Sequence, residues 1–572
     1  MVPPPLESSK LIPIQRRSRI VPMLLLLILL FSGITRLTSL LKYPPSLFSD
    51  EVDVALQVKS LLTTGRDYYG NFWPLQFHSF SDVRTAIPIY LTAIIGKIMT
   101  NIELAVRLEP AIMGILGVLA IYLLAKSFFG KTTGLLAALF LTLTPWHFTY
   151  SRVGFEVTTL FAFFVFGLYF LKNYFATQKD HFLWLAILLL SLTPLIYSTA
   201  KLALLFLPFL ILFFPGTTFS KNLKNRNLLI SLAFLFLPLA IITLSGGATS
   251  RFNYISIFTD PTTPTEINVM RKADQGEDLP VGTKPLFLSQ VFRNKYVVYG
   301  QRVTSNLLEL LSTRFLFVKG DLNLRHALPD WGMLLKTELL LILAGLYFLI
   351  RHEDGKQKYL IIFFGLLTLL AIFPGALTRD GGGHATRSFL LLIPLTLLGA
   401  LGASAIVKHA RYLLILILPL LVIESAFYFF DYSHRYVFLS QRQWHYGLKE
   451  IMSLIKDKTE PVVITNSYEP PLIFYLYYSD YPMKEMQSLI RDDKLLVTIP
   501  DETNLAGRKI TNREVYFASI NNRNAKEPLL IKPASYFLMK SDLPKLADSF
   551  TPDKVVVKLP SGEPLFYEIR SL

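Results

Sequence analysis

Asp50 and Glu51, in the stretch Phe48-Ser49-Asp50-Glu51-Val52, form an acidic pair just beyond the first long apolar run of the chain, with Asp53 two residues further on. A carboxylate held at a membrane surface can act as a general base towards an acceptor hydroxyl. The same acids also suit the first turn of a helix, where they complement the macrodipole and meet free amides. Other charged residues gather at the ends of apolar runs in the same way. They are Arg107 and Glu109, then Arg152 and Glu156 around the turn Thr144-Pro145-Trp146 to Ser151-Arg152, then Lys201, Arg325-His326, and finally His384 and Arg387 after Asp380-Gly381-Gly382-Gly383. Taken singly, each suits an interfacial anchor whose polar end reaches water. Together they suit a reaction in which cations stabilise a phosphate leaving group while a carboxylate deprotonates a nucleophile. The glycine run either lets the backbone approach a phosphate or is simply flexible.

The elements that must carry these residues lie in a bilayer. The 572 residues are 52% hydrophobic and 13% aromatic, with a mean hydropathy of +0.43, too apolar for a soluble domain. A formal charge of +16 raises the question of nucleic acid, but no basic cluster is interleaved with exposed aromatics, so no nucleic-acid partner is expected. With no cysteine, disulfides, thiolate metal sites and a cysteine nucleophile are excluded. A metal held by histidine and carboxylate is not. Hydropathy predicts about eleven spans, near residues 20–41, 105–126, 132–148, 156–173, 182–199, 202–215, 228–245, 337–351, 359–374, 388–407 and 411–430. The segments that fall inside when the N-terminus is cytoplasmic carry Lys10, Arg16, Arg17, Arg19, Lys126, Lys131, Lys172, Lys179, Lys221, Lys224, Arg226, Arg351, Lys356, Lys358, Lys408 and Arg411. The short outer loops carry only Arg152, Lys201, Arg379 and Arg387. By the positive-inside rule the protein is a multi-pass plasma (inner) membrane protein with a cytoplasmic N-terminus and an extracytoplasmic C-terminal region.

Two outer segments are long, residues 42–104 and 246–336, within a membrane unit of residues 1–430. In the first, Ser49 opens a helix whose Val54, Ala55, Val58, Leu61 and Leu62 form one apolar stripe, expected to lie on the membrane. Residues 87–99 are apolar but fall short of the roughly 20 needed to span, and are expected to be interfacial or re-entrant. In the second, helical pieces are expected around 307–317. After 430 the hydropathy falls, and the runs 461–465, 514–518 and 554–558 alternate with helical stretches, which predicts a mixed α/β domain over residues 431–572.

These motifs resemble the GT-C glycosyltransferases, in the group of the protein O-mannosyltransferases and the aminoarabinose transferases of lipid A. The resemblance rests on the Asp50-Glu51 pair, on Glu103-Leu104-Ala105-Val106-Arg107-Leu108-Glu109-Pro110, on the Thr144 to Arg152 turn and on His384-Ala385-Thr386-Arg387, in that order over roughly residues 20–410. It implies an inverting hexosyl- or pentosyltransferase that moves a sugar from a polyprenyl-phosphate donor to an acceptor hydroxyl outside the membrane. It makes Asp50 the catalytic base, places Glu51 beside it to position acceptor or sugar, and makes Glu156 a second acid near the donor. Arg107, Arg152 and Lys201 become phosphate or sugar contacts, and Arg325, His326, His384 and Arg387 close the site from later loops. No cofactor is required by such chemistry, and a divalent metal is compatible with it. The long loop holds no soluble trefoil domain of the kind found in protein O-mannosyltransferases, so the acceptor stays open among lipid, glycan and protein. Three other readings compete. One is still an enzyme, an oligosaccharyltransferase or polymer ligase of similar architecture, of which the former would be expected to carry an acidic, metal-binding loop pattern that is absent here. A lipid or solute transporter would place ionisable groups at the bilayer midplane on broken helices in two related halves. A cell-envelope scaffold would keep the fold and use Asp50 only as a cap.

Overall fold

The computed structural model describes residues 14–571 apart from 81, 218, 245–253, 277–283, 352–356, 500–504, 521–533 and 546–553. Lys10 and Lys356 lie outside the described residues, as do the side chains of Arg16, Arg17 and Arg19 and the start of the second outer segment at 246. The chain is a polytopic helical membrane protein with a C-terminal α/β region. Among the described residues, seven helices are long and apolar enough to cross a bilayer: Ile20–Leu37, Ile102–Phe129, Val157–Thr177, Arg226–Leu244, Gln357–Ala376, Phe389–His409 and Arg411–Ser440. Their outer faces carry exposed apolar side chains such as Leu26, Leu27, Leu30 and Ile34, the surface that lipid covers.

Helix length therefore supports fewer crossings than the eleven expected from hydropathy. The expected spans at 132–148, 182–199 and 337–351 are the shorter helices Lys131–Leu143, Asp180–Ser191 and Lys336–Arg351. Residues 202–215 do not form one helix: they break into Ala200–Ala203 and Leu207–Leu212, with Pro208 at the start of the second piece. A proline interrupts the i to i−4 hydrogen bonds, so a continuous apolar run need not be a continuous helix.

The N-terminal elements build the part of the fold that carries the acidic pair. Helix α1 (Ile14–Leu37) crosses and ends near the surface, and α2 (Ser49–Thr64) follows. Strands β1 (Gln76–His78) and β2 (Val83–Thr85) pair antiparallel and lead into α3 (Ala86–Met99), the short apolar helix expected from the sequence. Helix α4 (Ile102–Phe129) returns through the membrane, and α5 (Lys131–Leu143), the short α6 (Pro145–Tyr150) and α7 (Val157–Thr177) follow. Helix α2 packs its apolar stripe largely inside the protein. Its Val54, Ala55 and Val58 pack with Phe77, Ile89 and Val106, and its other face enters the C-terminal region.

The helix Leu414–Ser440 runs through residue 430, and beyond it a seven-stranded sheet is laid down in the order β4-β5-β6-β3-β7-β9-β8. Strands β3 (Val462–Thr465), β6 (Val515–Ile520) and β8 (Lys554–Lys558) coincide with the alternating runs of the sequence. The other four are β4 (Leu496–Thr498), β5 (Leu505–Ile510), β7 (Ala534–Met539) and β9 (Pro564–Ser571). Central β3 pairs parallel with β6 and β7 and is buried along its length. The core beneath this sheet includes Leu47, Val52, Leu56 and Tyr68 of the first outer segment as well as Leu448, Ile451 and Phe474. The C-terminal region thus shares its core with the helix that bears Asp50.

Candidate active site

The three acids of α2 meet three different fates. Glu51 is wholly buried, and its carboxylate accepts from Nε and Nη2 of Arg107, both at 3.1 Å. It also accepts from the backbone N–H of Gly154 at 2.9 Å and of Phe48 at 3.3 Å. Space at Gly154 is tight, since a methyl group there would lie 3.0 Å from Val106 and 3.1 Å from Glu51. Asp53 is buried too and is bonded to Arg84 and, at 2.7 Å, to the Tyr68 hydroxyl. Asp50 alone opens outwards: its side chain is 53% exposed, and Nη2 of Arg84 lies 2.9 Å from it. Successive positions on a helix point about 100° apart, which separates the buried Glu51 from the exposed Asp50.

Arg107 and Arg152 are bound into the scaffold. Besides Glu51, Arg107 donates to the carbonyls of Leu40 at 2.7 Å, Pro44 at 2.8 Å and Ser46, and it is fully buried. Arg152, also buried, donates to the carbonyls of Thr35 at 2.6 Å, Thr38 at 2.8 Å and Tyr43 at 3.1 Å. These include the last carbonyls of α1, which lack partners within the helix, so Arg152 satisfies them and places a cation at the negative end of the dipole. Every nitrogen of the Arg107 guanidinium is thus engaged, whereas Nε of Arg152 is buried without a hydrogen-bond partner.

The cation that does face Asp50 is Arg84, which hydropathy and motif did not single out. Strand β2 holds it, and the hydroxyl of the next residue, Thr85, donates to the carbonyl of Ile196 at 2.7 Å, tying β2 to the outer turn that carries Lys201. Burial alone would lower the Arg84 pKa, but Asp53, then Asp50 and Glu156, raise it well above the usual value. Glu156 therefore belongs to the same charge cluster. Arg325 approaches from the second long segment, with its guanidinium 5.0 Å from the centre of the ring of Phe48, the residue that caps α2 two positions before Asp50.

The C-terminal region closes the group. His445 is buried, and its Nδ1 accepts the backbone N–H of Ser49 at 3.2 Å, while Nε2 lies 3.5 Å from Glu469. Burial, with the charge of Arg325 added, pushes the His445 pKa down to about 4. Burial also raises that of Glu469. Neither residue was legible from the sequence, since each reaches α2 only through the tertiary fold.

The remaining expected residues form a second group beside the first. Asp321 Oδ2 lies 2.7 Å from Nδ1 of His326 and accepts the N–H of Ala385 at 2.9 Å, and the His326 and His384 rings are 5.0 Å apart. Burial raises the Asp321 pKa, but His326, His384 and the Ala385 amide together bring it below the ordinary carboxylate value. Burial, and next the charge of Arg387, hold His384 well below the usual imidazole value. Arg387 Nη1 donates to the Thr378 hydroxyl at 2.7 Å. Gly381 of the glycine run is pressed against the carbonyl of Gly375, so at that position the run serves close packing.

Part of the chain matches a known sequence family. Residues 84–245 match the sequence profile of the dolichyl-phosphate-mannose-protein mannosyltransferases. The match opens at Arg84 and takes in Arg107, Arg152, Glu156 and Lys201. No curated protein sequence is significantly similar. Among solved structures, the chain is similar to the oligosaccharyltransferase AglB of Archaeoglobus fulgidus, in complex with an inhibitory peptide and a dolichol-phosphate, at 14% identity and a TM-score of 0.47. That similarity covers 81% of this chain and 64% of AglB, so the chain spans less than two thirds of that protein. It is also similar to ArnT of Cupriavidus metallidurans bound to undecaprenyl phosphate, at 11% identity and a TM-score of 0.47 over 96% of this chain and 97% of ArnT. The mycobacterial arabinofuranosyltransferase AftD is similar at 14% identity and a TM-score of 0.38, over 81% of this chain and 31% of that one. Over residues 84–245 the chain is similar to the dolichyl-phosphate-mannose-protein mannosyltransferases.

Proposed function

We propose that the protein is an inverting glycosyltransferase that moves a sugar from a polyprenyl-phosphate donor to an acceptor hydroxyl of a lipid, glycan or protein at the outer face of the membrane. The observation that carries this reading is the exposed Asp50 carboxylate beside Arg84, on a helix whose two other acids are buried and engaged. The profile match supports the donor class, because dolichyl-phosphate-mannose is a sugar on a polyprenyl phosphate.

In the proposed reaction Asp50 takes the proton of the acceptor hydroxyl as its oxygen attacks the anomeric carbon. The bond from that carbon to the phosphate oxygen breaks on the opposite face, and polyprenyl phosphate leaves with the electron pair. One base suffices for a single displacement, unlike the paired carboxylates of a retaining glycosidase. Arg84 and Arg325 neutralise the phosphate, with Lys201 and Arg387 as further cations of the outer face, so transfer itself requires no metal. Glu156 is the second acid, near Arg84 and the donor. Glu51, Arg107 and Arg152 are positioning residues that fix α1, α2 and the Gly154 turn against one another. His326 and His384 hold the loop bearing Arg325. The site lies outside, with the N-terminus cytoplasmic and the C-terminal region extracytoplasmic, and the membrane is the plasma (inner) membrane.

The test is transfer of labelled sugar from polyprenyl-phosphate donors by purified protein, compared with Asp50→Asn.

A further inference from the structure

Beside the proposed transfer site, two outer loops meet over a cavity of about 480 Å³ whose wall includes Glu309, Asp321, His326, Asp380, Gly383 and His384. One loop runs from Gly320 to His326, and the other is the glycine-rich turn ending at His384. They are already tied once, by the Ala385 N–H donating to Asp321. Within this cavity one donor atom from each of Asp321, His326 and His384 lies within 4.8 Å of the other two. A second, independent observation points the same way: Nδ1 of His384 is buried and has no hydrogen-bond partner. A buried lone pair or N–H without a partner is costly, and most buried polar groups in folded proteins have one.

We infer that Asp321, His326 and His384 bind one divalent transition-metal cation of the zinc type, which clips the two outer loops together and holds Arg325 over the Asp50 cleft. Two imidazoles and one carboxylate are a donor set that suits zinc or cobalt, and the cavity leaves room for water at the fourth position. Zinc–nitrogen bonds of about 2.1 Å put tetrahedral donors roughly 3.4 Å apart, so donors at the 4.8 Å limit would need to draw in by about an ångström, whereas Asp321 Oδ2 and His326 Nδ1 are already 2.7 Å apart. Asp321 is prepared for its place, since Oδ1 accepts the Asn323 N–H at 2.9 Å and Oδ2 that of Ala385, which fixes the plane of the carboxylate. The ion has no part in breaking the sugar–phosphate bond. Its effect is mechanical: His326 adjoins Arg325, so fixing His326 limits where the guanidinium can go.

The experiment uses full-length protein in detergent, freed of any affinity tag and stripped with chelator, then titrated with Co²⁺ and back-titrated with Zn²⁺. The wild type should show one saturating equivalent with visible absorption of low-symmetry nitrogen and oxygen coordination, lost on adding Zn²⁺, and its melting temperature should rise with metal. Partners that only orient a ligand are worth roughly 10–100-fold in affinity, so His384→Gln and the isosteric Asp321→Asn should each weaken Co²⁺ binding by at least about 100-fold. His434→Gln, at an exposed histidine elsewhere, should leave it unchanged. Absence of a saturable band in the wild type overturns the inference, as does a band that survives Asp321→Asn in protein that elutes as a single folded species. Binding is read without donor or acceptor, so neither result depends on the transfer reaction.

Discussion

At the scale of single residues, the charges around α2 divide by whether the fold has already used them. Glu51 with Arg107 forms a buried pair that joins α2, α4 and the Gly154 turn. Desolvated ions are tolerated only when their hydrogen bonds are complete, and removing one partner from such a pair costs roughly 3–5 kcal/mol. Arg107→Met is therefore expected to lower stability by roughly that amount, seen as a large fall in melting temperature and poor recovery from the membrane. A variant that melts like the wild type and loses only donor binding would return Arg107 to the phosphate. The sequence located the acids and most of the cations but did not distinguish latches from site residues, because Arg107 and Arg84 are both isolated cations next to apolar helices. What separates them is the count of carbonyls that reach each guanidinium, a tertiary fact. Arg84 did carry one local signal, a cation between Val83 and Thr85 in a short strand ahead of an apolar helix.

At the scale of elements, the orientation of α2 decides where Asp50 points, and the first turn of that helix is held from both sides. The Glu51 carboxylate accepts the Phe48 N–H from within, and His445 accepts the Ser49 N–H from the C-terminal region. The latter bond needs a neutral imidazole with Nδ1 bare. Its pKa is about 4 in the folded protein, against the ordinary 6.5, because of burial and the charge of Arg325. A depressed histidine is protonated in the unfolded chain before it is in the fold. Stability is thus undiminished above about pH 6.5, falls as pH drops from there towards 4, and then levels off. The loss is at most about 3 kcal/mol at 1.36 kcal/mol per unit. Thermal unfolding across that window should show the slope in the wild type and a flatter profile in His445→Gln; identical profiles would remove His445 from the support of α2. The helix itself was legible from Ser49 and the acids after it. Its cap was not, since the partner lies 396 residues later in the chain. The broken 202–215 run was misread for a local reason, a proline whose effect on hydrogen bonding hydropathy does not register.

At the scale of the molecule, the C-terminal region grips the first outer segment rather than standing apart. Lys59 meets Asp480 at 2.8 Å, Lys449 meets Glu103 at 2.8 Å, and the Gln487 amide donates to Ser60, Thr64 and the carbonyl of Asp67. Exposed pairs of this kind contribute little, but the shared apolar core beneath them commits both parts to one side of the membrane. Hydropathy and lysine–arginine asymmetry made the membrane class and the strands of this region legible. They carried no information on the shared core, which depends on residues far apart in sequence. The proposed topology places Ser453, exposed on the helix Leu448–Ile455, outside. The chain has no cysteine of its own, so Ser453→Cys should be labelled in intact cells by a membrane-impermeant maleimide. Labelling only after lysis would invert the orientation and place Asp50 inside.

The most direct measurement is sugar transfer from a panel of labelled polyprenyl-phosphate donors to extracted envelope lipid and polymer, by purified wild type and by Asp50→Asn with matched melting temperatures. The amide keeps the size of the side chain and cannot take the acceptor proton. Transfer by the wild type, with loss of at least about 100-fold in the variant, is the predicted result, in keeping with the 10²–10⁴-fold contribution of a positioned general base. Equal transfer by both proteins would contradict Asp50 as the base, and no transfer by the wild type from any donor would contradict the reaction itself.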